Sequence, residues 1–337
     1  MTFGNARTPM LLLAICSLLT ITAACTPTGS FKVTAVPTDR SYEEEIIRHA
    51  GAWESNRIAM IDISGVLMNG KANGLFSEGE HPVASTVEKL QKAAKDERVK
   101  AVVLRINSPG GSVTASDTLH HEIAKFREQT KKPVIAYFQD VAASGAYFFA
   151  CASDEIIAQR SSVTGSIGVI MQMVDLSGTL HRIGVRTDAI TSGSHKDAGS
   201  PFREMTSEER AIFQAMVDDF YNQFVDAVDA GRPDMNRSQV LSAADGRVYT
   251  AKQALDAGLI DRIATLDDAV RIAREKAGVE KAHLVRYNRP LAWAPNIYAD
   301  WQHSPAKSQG TTVNLLNINM GSRWTSHPQF MYIWTGF

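Results

Sequence analysis

Three cysteines in 337 residues exclude a disulfide-built scaffold. Cys16 and Cys25 fall in an apolar N-terminal stretch, so Cys151 would stand alone downstream and is read as a small buried apolar residue rather than a reactive thiol. An excess of positive charge is also missing. The formal net charge is −1, and no Lys/Arg-rich run interleaved with aromatics occurs, so nucleic acid is not an expected partner. The chain has no Walker glycine loop, no dinucleotide-binding glycine fingerprint and no paired C-x-x-C. His121-Glu122-Ile123-Ala124-Lys125 misses the zinc-helix pattern because Lys125 stands where the second His belongs. No metal and no cofactor is therefore expected. Ser144 lacks the G-x-S-x-G setting of an α/β-hydrolase nucleophile, and no internal repeat is visible.

What is present begins with the leader. Met10 to Ala24 is almost wholly apolar and breaks at Thr26-Pro27-Thr28-Gly29, with Arg7 as a thin positive flank. That run is short of the roughly 20 residues a membrane-spanning helix takes and suits a secretory signal segment. Thr22-Ala23-Ala24-Cys25 is similar to a bacterial lipobox, although Thr22 replaces the usual Leu. Lipidation at Cys25, an uncleaved signal anchor and ordinary secretion are the three readings it leaves. All three place the rest of the chain outside the cytoplasm, and the expected location is a bacterial cell envelope with membrane attachment.

An apolar content of 44% with 21% charged residues allows a sizeable core. The expected organisation is a signal segment over 1–25, a tether and lead-in over 26–56, a catalytic domain over 57–287, and an extended arm over 288–337. Strand-like runs at Arg57–Ile63, Lys100–Ile106 and Pro133–Phe138 alternate with helical stretches near Thr86–Lys95 and Thr114–Gln129, which predicts βαβ units and a mainly parallel sheet. A short helix is expected over Tyr147–Ala152, a strand pair at Glu155–Ala158 and Gly168–Val174, and a long helix from the Thr206-Ser207-Glu208-Glu209 capping box to about Ala230. On that helix Phe213, Met216, Phe220 and Phe224 read as core. Helices are also expected to open at Thr250 and Thr265. The aromatic content after Pro290 argues for an arm lying on the body or on a neighbour, not a disordered tail.

Three segments carry chemistry. Ser144 sits in Val141-Ala142-Ala143-Ser144-Gly145-Ala146-Tyr147, where small residues permit a sharp turn and close approach of substrate. A plain helix N-cap is the alternative for such a serine. Pro109-Gly110-Gly111 follows a strand and can expose backbone N–H groups, or be only a turn. Lys196, in Ser192-Gly193-Ser194-His195-Lys196, could serve as a base only if neutral. An ordinary lysine titrates near about 10.4, so neutrality near pH 7 costs roughly 4 kcal/mol. Its neighbours Ser194, His195 and Asp197 are polar and do not supply that desolvation. It must come from distant parts of the fold, from substrate or from another subunit; otherwise Lys196 is an exposed loop lysine.

Taken in order, Arg105 to Val113, Asp140 to Tyr147, Thr164-Gly165-Ser166-Ile167-Gly168-Val169, Lys196 and Gly246-Arg247-Val248-Tyr249-Thr250 resemble the signal peptide peptidase (protease IV) family, in its single-unit form. The resemblance covers about residues 57–265 and implies a ClpP/crotonase-like α/β fold. It also implies a serine endopeptidase with Ser144 as nucleophile and Lys196 as general base. The implied oxyanion donors are the backbone N–H groups of Gly111 and Gly145, with Gly110 also open for the first, and Ser166 would orient the lysine amine. Ala146 departs from the Gly of many relatives. The implied substrates are cleaved signal peptides or other short apolar or unfolded segments, and the implied assembly is a homo-oligomeric ring attached to a membrane, in which the dyad can be completed between neighbours. Two other readings share the fold: a crotonase-type acyl-CoA enzyme, against which the leader and Ser144 argue, and a non-catalytic scaffold lipoprotein, against which the intact motifs argue.

Overall fold

A computed structural model describes residues 41–70, 73–74, 77–78, 81–289 and 329–336. The leader with Cys25, and most of the arm, lie outside them.

The chain runs β1 (Glu43–Arg48), β2 (Arg57–Ser64), the short hairpin β3 (Asn73–Gly74) and β4 (Ser77–Glu78), helix Pro82–Lys95, β5 (Val99–Ser108), β6 (Gly110–Ser112), helix Val113–Thr130, β7 (Val134–Ala143) and helix Gly145–Ala150. It continues through β8 (Glu155–Ala158), β9 (Val163–Gly165), β10 (Ile170–Met171), helices Ser177–Arg182, Ser207–Gly231 and Arg237–Ala243, β11 (Val248–Thr250), helix Ala251–Asp256, β12 (Arg262–Ile263), helix Leu266–Lys276, β13 (His283–Asn288) and β14 (Phe330–Ile333).

The main sheet has the order β1-β13-β2-β5-β7-β8-β12. Along that order every neighbouring pair is parallel except β1 with β13; off it, β9 pairs parallel with β7 and carries β11 antiparallel on its other side. The central strands are buried on both faces, as near-continuous apolar runs require in a parallel sheet. Alternate residues feed two cores. Ala59, Ile61, Val102, Leu104 and Ala136 face the larger one, with helices Pro82–Lys95, Val113–Thr130 and Gly145–Ala150. Ile58, Met60, Val103, Ile135 and Tyr137 face the smaller one, closed by helix Leu266–Lys276. This is the mixed α/β, mainly parallel architecture that the sequence predicts.

Several boundaries differ, for physical reasons. The first helix begins at Pro82, not Thr86: Pro fits the first helical position because it lacks the N–H that would be unpaired there, and His81 caps Ala84. Strand β7 runs on past Phe138 to Ala143, so the helix after Ser144 starts at Gly145 rather than Tyr147. The expected pair of strands at 155–158 and 168–174 is not a pair. β8 lies in the main sheet, while only Ile170–Met171 of the second run is strand and pairs with β14. Within the run read as tether, Glu43–Arg48 is a sheet strand. On helix Ser207–Gly231 only Phe224 of the four aliphatic and aromatic candidates is fully buried, Phe220 is half-buried and Met216 is exposed. The capping box at Thr206 and Glu209 is present, as are Thr250 and Thr265 at the starts of their helices.

Candidate active site

The glycine turn and Ser144 meet because they leave the C-terminal ends of adjacent parallel strands, β5 and β7, with Ser108 opposite Ala142 in the register. Open α/β sheets place their ligand sites at such strand ends.

At the end of β5, buried Ser108 donates its hydroxyl to the Gly65 carbonyl at 2.6 Å and accepts the Gly110 N–H at 3.1 Å. The Gly110 amide is thereby engaged. Gly110 has φ +97°, a region side chains rarely adopt. Gly111 has no room for a side chain: a Cβ would stand 1.8 Å from the Leu67 carbonyl oxygen. That contact is held by two backbone bonds, Leu67 N–H to Gly110 O at 2.9 Å and Ser112 N–H to Leu67 O at 2.8 Å.

Ser144 follows the last residue of β7 with φ +54° and ψ −117°. A non-glycine residue there is strained, and such strain concentrates at functional positions. Two backbone bonds impose it: Ser144 N–H to Gly165 O at 2.7 Å, and Phe148 N–H to Ser144 O at 2.9 Å. The side chain makes no capping hydrogen bond. Ser144 is 1% exposed and its Oγ is buried with no hydrogen-bond partner. A buried hydroxyl that neither caps nor pairs is kept at a cost of about 1–3 kcal/mol, which calls for an explanation.

Gly145 N lies 2.6 Å from the point a Cβ on Gly110 would occupy, so the Ser144 turn and the glycine turn are packed backbone to backbone. The same point is 2.2 Å from the carbonyl oxygen of Tyr332, on β14. β14 runs between β6 and β10, antiparallel to both, with Tyr332 opposite Gly111. Trp334 N–H bonds Pro109 O at 2.9 Å. The alternation of an antiparallel ladder then makes Tyr332 and Gly111 the next hydrogen-bonded pair and directs the Gly111 N–H at the Tyr332 carbonyl. A peptide carbonyl thus sits beside both glycines, next to Ser144.

Ser166 lies one residue past the Gly165 carbonyl that anchors Ser144. It has φ +50°, is buried, and its N–H bonds the Arg247 carbonyl at 2.7 Å. Lys196 stands exposed where Ser144 is buried. It lies in a turn closed by its own N–H to Gly193 O at 3.1 Å, and it does not hydrogen-bond the partnerless Ser144 Oγ. Its neighbour Asp197 is tied down: Arg203 donates to both Asp197 oxygens at 2.8 Å and, from Nη1, to Glu209 at 2.9 Å. The Arg203 guanidinium and the Thr206 N–H hold the Glu209 carboxyl down to about 2, and Arg203 also lowers Asp197.

Cys151 is a buried free thiol, pushed up to about 12 by desolvation, which suits an inert core residue. Among the described residues no group of three or more His, Cys, Asp or Glu is arranged to hold a metal, and no helix is long and apolar enough to cross a membrane.

Residues 126–280, which include Ser144, Ser166 and Lys196, match the model of peptidase family S49. A protein of Enterococcus faecium named signal peptide peptidase SppA is 31% identical over 82% of this chain and 81% of its own length. The chain belongs to peptidase family S49. It is a serine peptidase of ClpP/crotonase-like fold. The chloroplastic serine protease SPPA of Arabidopsis thaliana is 34% identical over 72% of the chain, and protease 4 of Haemophilus influenzae 32% over 65%; the chain spans only about a third of either of these longer relatives.

Sequence reasoning missed Ser108 and Leu67, which hold the glycine turn, and Tyr332, whose carbonyl lies against it. Ser108 stood within the motif itself. Leu67 gave no signal, because it acts through its backbone. Tyr332 was covered only by the expectation of an aromatic arm over the body.

Proposed function

We propose that this S49 peptidase is a membrane-associated endopeptidase working through a Ser144–Lys196 dyad on short apolar or unfolded peptides, signal-peptide remnants among them. The observation that carries the reading is the strained, buried and partnerless Ser144 hydroxyl beside a glycine turn against which a peptide carbonyl is packed. In the reaction Ser144 Oγ bonds the scissile carbonyl carbon while Lys196 takes its proton. The Gly111 and Gly145 N–H groups receive the oxyanion, the peptide C–N bond breaks, and Lys196 returns the proton to the leaving amine. Water then releases the acyl group by the same route. Gly111 is favoured over Gly110 because the Gly110 amide is engaged by Ser108. Ser166, one residue past the Gly165 that anchors the Ser144 turn, would orient the incoming amine.

Exposed Lys196 must lose water to act as a base. The segment that carries it presents exposed Ile183, Ile190 and Phe202, which supports burial against a neighbouring subunit in a homo-oligomeric ring. Lipidation at Cys25 or an uncleaved signal segment would attach the ring to the membrane from outside the cytoplasm.

The test is peptide hydrolysis by the assembled protein from pH 6 to 10. Activity is expected to rise with an apparent pKa well below that of free lysine, and to vanish in both Ser144→Ala and Lys196→Ala. Hydrolysis that survives in Lys196→Ala would remove the dyad; a folded oligomer whose Ser144 no fluorophosphonate labels would remove the serine reaction.

A further inference from the structure

Strand β7 changes partner just before it delivers Ser144. Phe138 still lies between Ile106 of β5 and Ala158 of β8. From Val141 to Ala143 the strand pairs with β9 in place of β8. At the same point its register against β5 slips. Between Ile106 and Ser108, β5 has one residue, Asn107; between their partners Phe138 and Ala142, β7 has Gln139, Asp140 and Val141. That is a bulge, and bulges beside active sites re-aim the side chains that follow them.

A bulge interrupts the backbone ladder, so other groups must fix the segment beyond it. Side chains do so here. The Asn107 carboxamide reaches across from β5: its Oδ1 accepts the Val141 N–H at 3.2 Å, and its Nδ2 donates to Asp140 Oδ2 at 3.3 Å. These partners set the orientation of the amide, because an N–H needs its oxygen and a carboxylate needs its NH2. From the β9 side, fully buried Thr164 donates its hydroxyl to the Ala142 carbonyl at 2.6 Å. Buried Ser162 donates to Phe138 O at 3.0 Å, and also to Gln139 O, where the bulge begins. The residues that lead into Ser144 are thus gripped from two strands.

Ser144 depends on such a grip. Its φ of +54° is a strained conformation, which persists only while the surroundings over-determine it. Its buried Oγ has no hydrogen-bond partner to steady it. The place of the hydroxyl therefore follows the backbone that carries it, and a misplacement of about 1 Å in a reacting group can cost about 10²-fold in rate.

We propose that Asn107 and Thr164 are positioning residues for the peptidase reaction: they clamp the β7 bulge from either side and so set where the Ser144 hydroxyl meets the scissile carbonyl, with Asp140 fixing the Asn107 amide. The inference rests on the reading of Ser144 as nucleophile, and its test separates the two.

Asn107 and Asp140 permit a swap. Asn107→Asp keeps an acceptor for the Val141 N–H but sets two carboxylates against each other where a hydrogen bond stood, and like charges so placed repel. Adding Asp140→Asn restores one amide and one carboxylate with the roles reversed. In the assembled full chain, Asn107→Asp is expected to lower kcat by about 10–100-fold with KM within about threefold of wild type. The double variant should return kcat to within about threefold of wild type, because the two positions act as one pair. Asp140 is exposed and Asn107 half-buried, so about 1 M salt should raise the activity of Asn107→Asp relative to wild type by screening the repulsion; a loss from damaged packing would not respond. Thr164→Val keeps the shape without the hydroxyl and should lower kcat by about 10-fold, whereas Thr164→Ser keeps the hydroxyl and should stay within about threefold.

A loss in Asn107→Asp that Asp140→Asn does not repair, a loss confined to KM, or a Thr164→Val enzyme at the wild-type rate would each overturn the clamp and leave the peptidase standing. If the wild type shows no hydrolysis that depends on Ser144, the nucleophile reading falls, and the clamp is decided by hydrogen exchange over residues 141–148. Exchange that quickens about tenfold or more in Asn107→Asp and returns to the wild-type rate in the double variant upholds it; equal exchange in all three removes it.

Discussion

The two halves of the proposed Ser144–Lys196 dyad are built to opposite standards. Ser144 and the glycine turn are over-determined: buried, strained in φ, fixed by backbone bonds on both sides, and closed so tightly that a single methyl on Gly111 would strike the Leu67 carbonyl. The segment from β10 to helix Ser207–Gly231, which carries Lys196, buries almost nothing. Helix Ser177–Arg182 has no buried residue, and Ile183 and Ile190 face solvent. A hydroxyl can be aimed by one chain's backbone, but neutralising an ammonium needs low-dielectric surroundings on every side. The half that is finished within one chain needs only geometry; the half that is unfinished needs desolvation.

The sharpest way to break this contrast is complementation. Ser144→Ala and Lys196→Ala should each lose about 10⁴-fold or more in kcat while keeping the fold, since members of a catalytic unit fail together. If the lysine acts on a neighbour's serine, mixing the two dead proteins and letting subunits exchange should restore about a quarter of the wild-type activity. Two dead proteins that stay dead after demonstrated exchange would place both groups in one chain, and the exposed segment bearing Lys196 would then have to fold back onto Ser144.

Next in size are the glycines. Gly111→Ala must push Leu67 away or shift β6, and Gly145→Ala would bring its methyl within 2.2 Å of Ser116 Oγ. Each is expected to lower kcat by about 10²–10³, the value of one oxyanion donor, with KM changed far less. A loss in KM alone would mean that these amides bind substrate without following the charge of the reaction.

How much of this the sequence discloses follows the same divide. The parallel sheet and the strand–helix order were legible because apolar runs and capping boxes are local. Ser144 with its small neighbours was legible because a sharp turn demands them. The length of β7 was not, because Asp140 within it looks like an ending; Asp140 lies on the exposed part, where it accepts a hydrogen bond from Asn107. Met216 and half-buried Phe220 showed helical periodicity but not what they face, since a helix stripe can be drawn toward a partner or a ligand as readily as toward its own core. The seat of Tyr332 against Gly111 could not be read at all: the two lie more than two hundred positions apart, and only the register of β6 joins them.

A smaller effect probes the exposed half directly. Arg203 holds the Lys196 turn to the start of helix Ser207–Gly231 through Asp197 and Glu209. Arg203→Met should keep the fold, leave the hydrogen-exchange protection of β5 and β7 intact, and lower peptide turnover several-fold as the lysine's position blurs. Equal loss of protection in β5 and β7 would show that the two halves are not separable.

The smallest expected effect is on stability in acid. Glu209 is almost fully buried, and Arg203 with the Thr206 N–H holds its carboxyl near 2, below the ordinary 4.5. A carboxyl lowered in the folded state contributes stability that is complete above the unfolded value and drains away as pH falls through the folded one. The wild type should therefore lose this contribution between about pH 4.5 and 2. The loss should be local at first, because the Arg203 clamp joins a thinly packed turn to a helix end. Hydrogen exchange over residues 193–209 should quicken across that interval ahead of β5 and β7. Glu209→Gln should begin less protected at neutral pH and show a flatter acid dependence in the same segment. Parallel slopes for wild type and variant would mean that Asp197 alone carries the titration, and that the turn bearing Lys196 is fastened by one carboxylate rather than two.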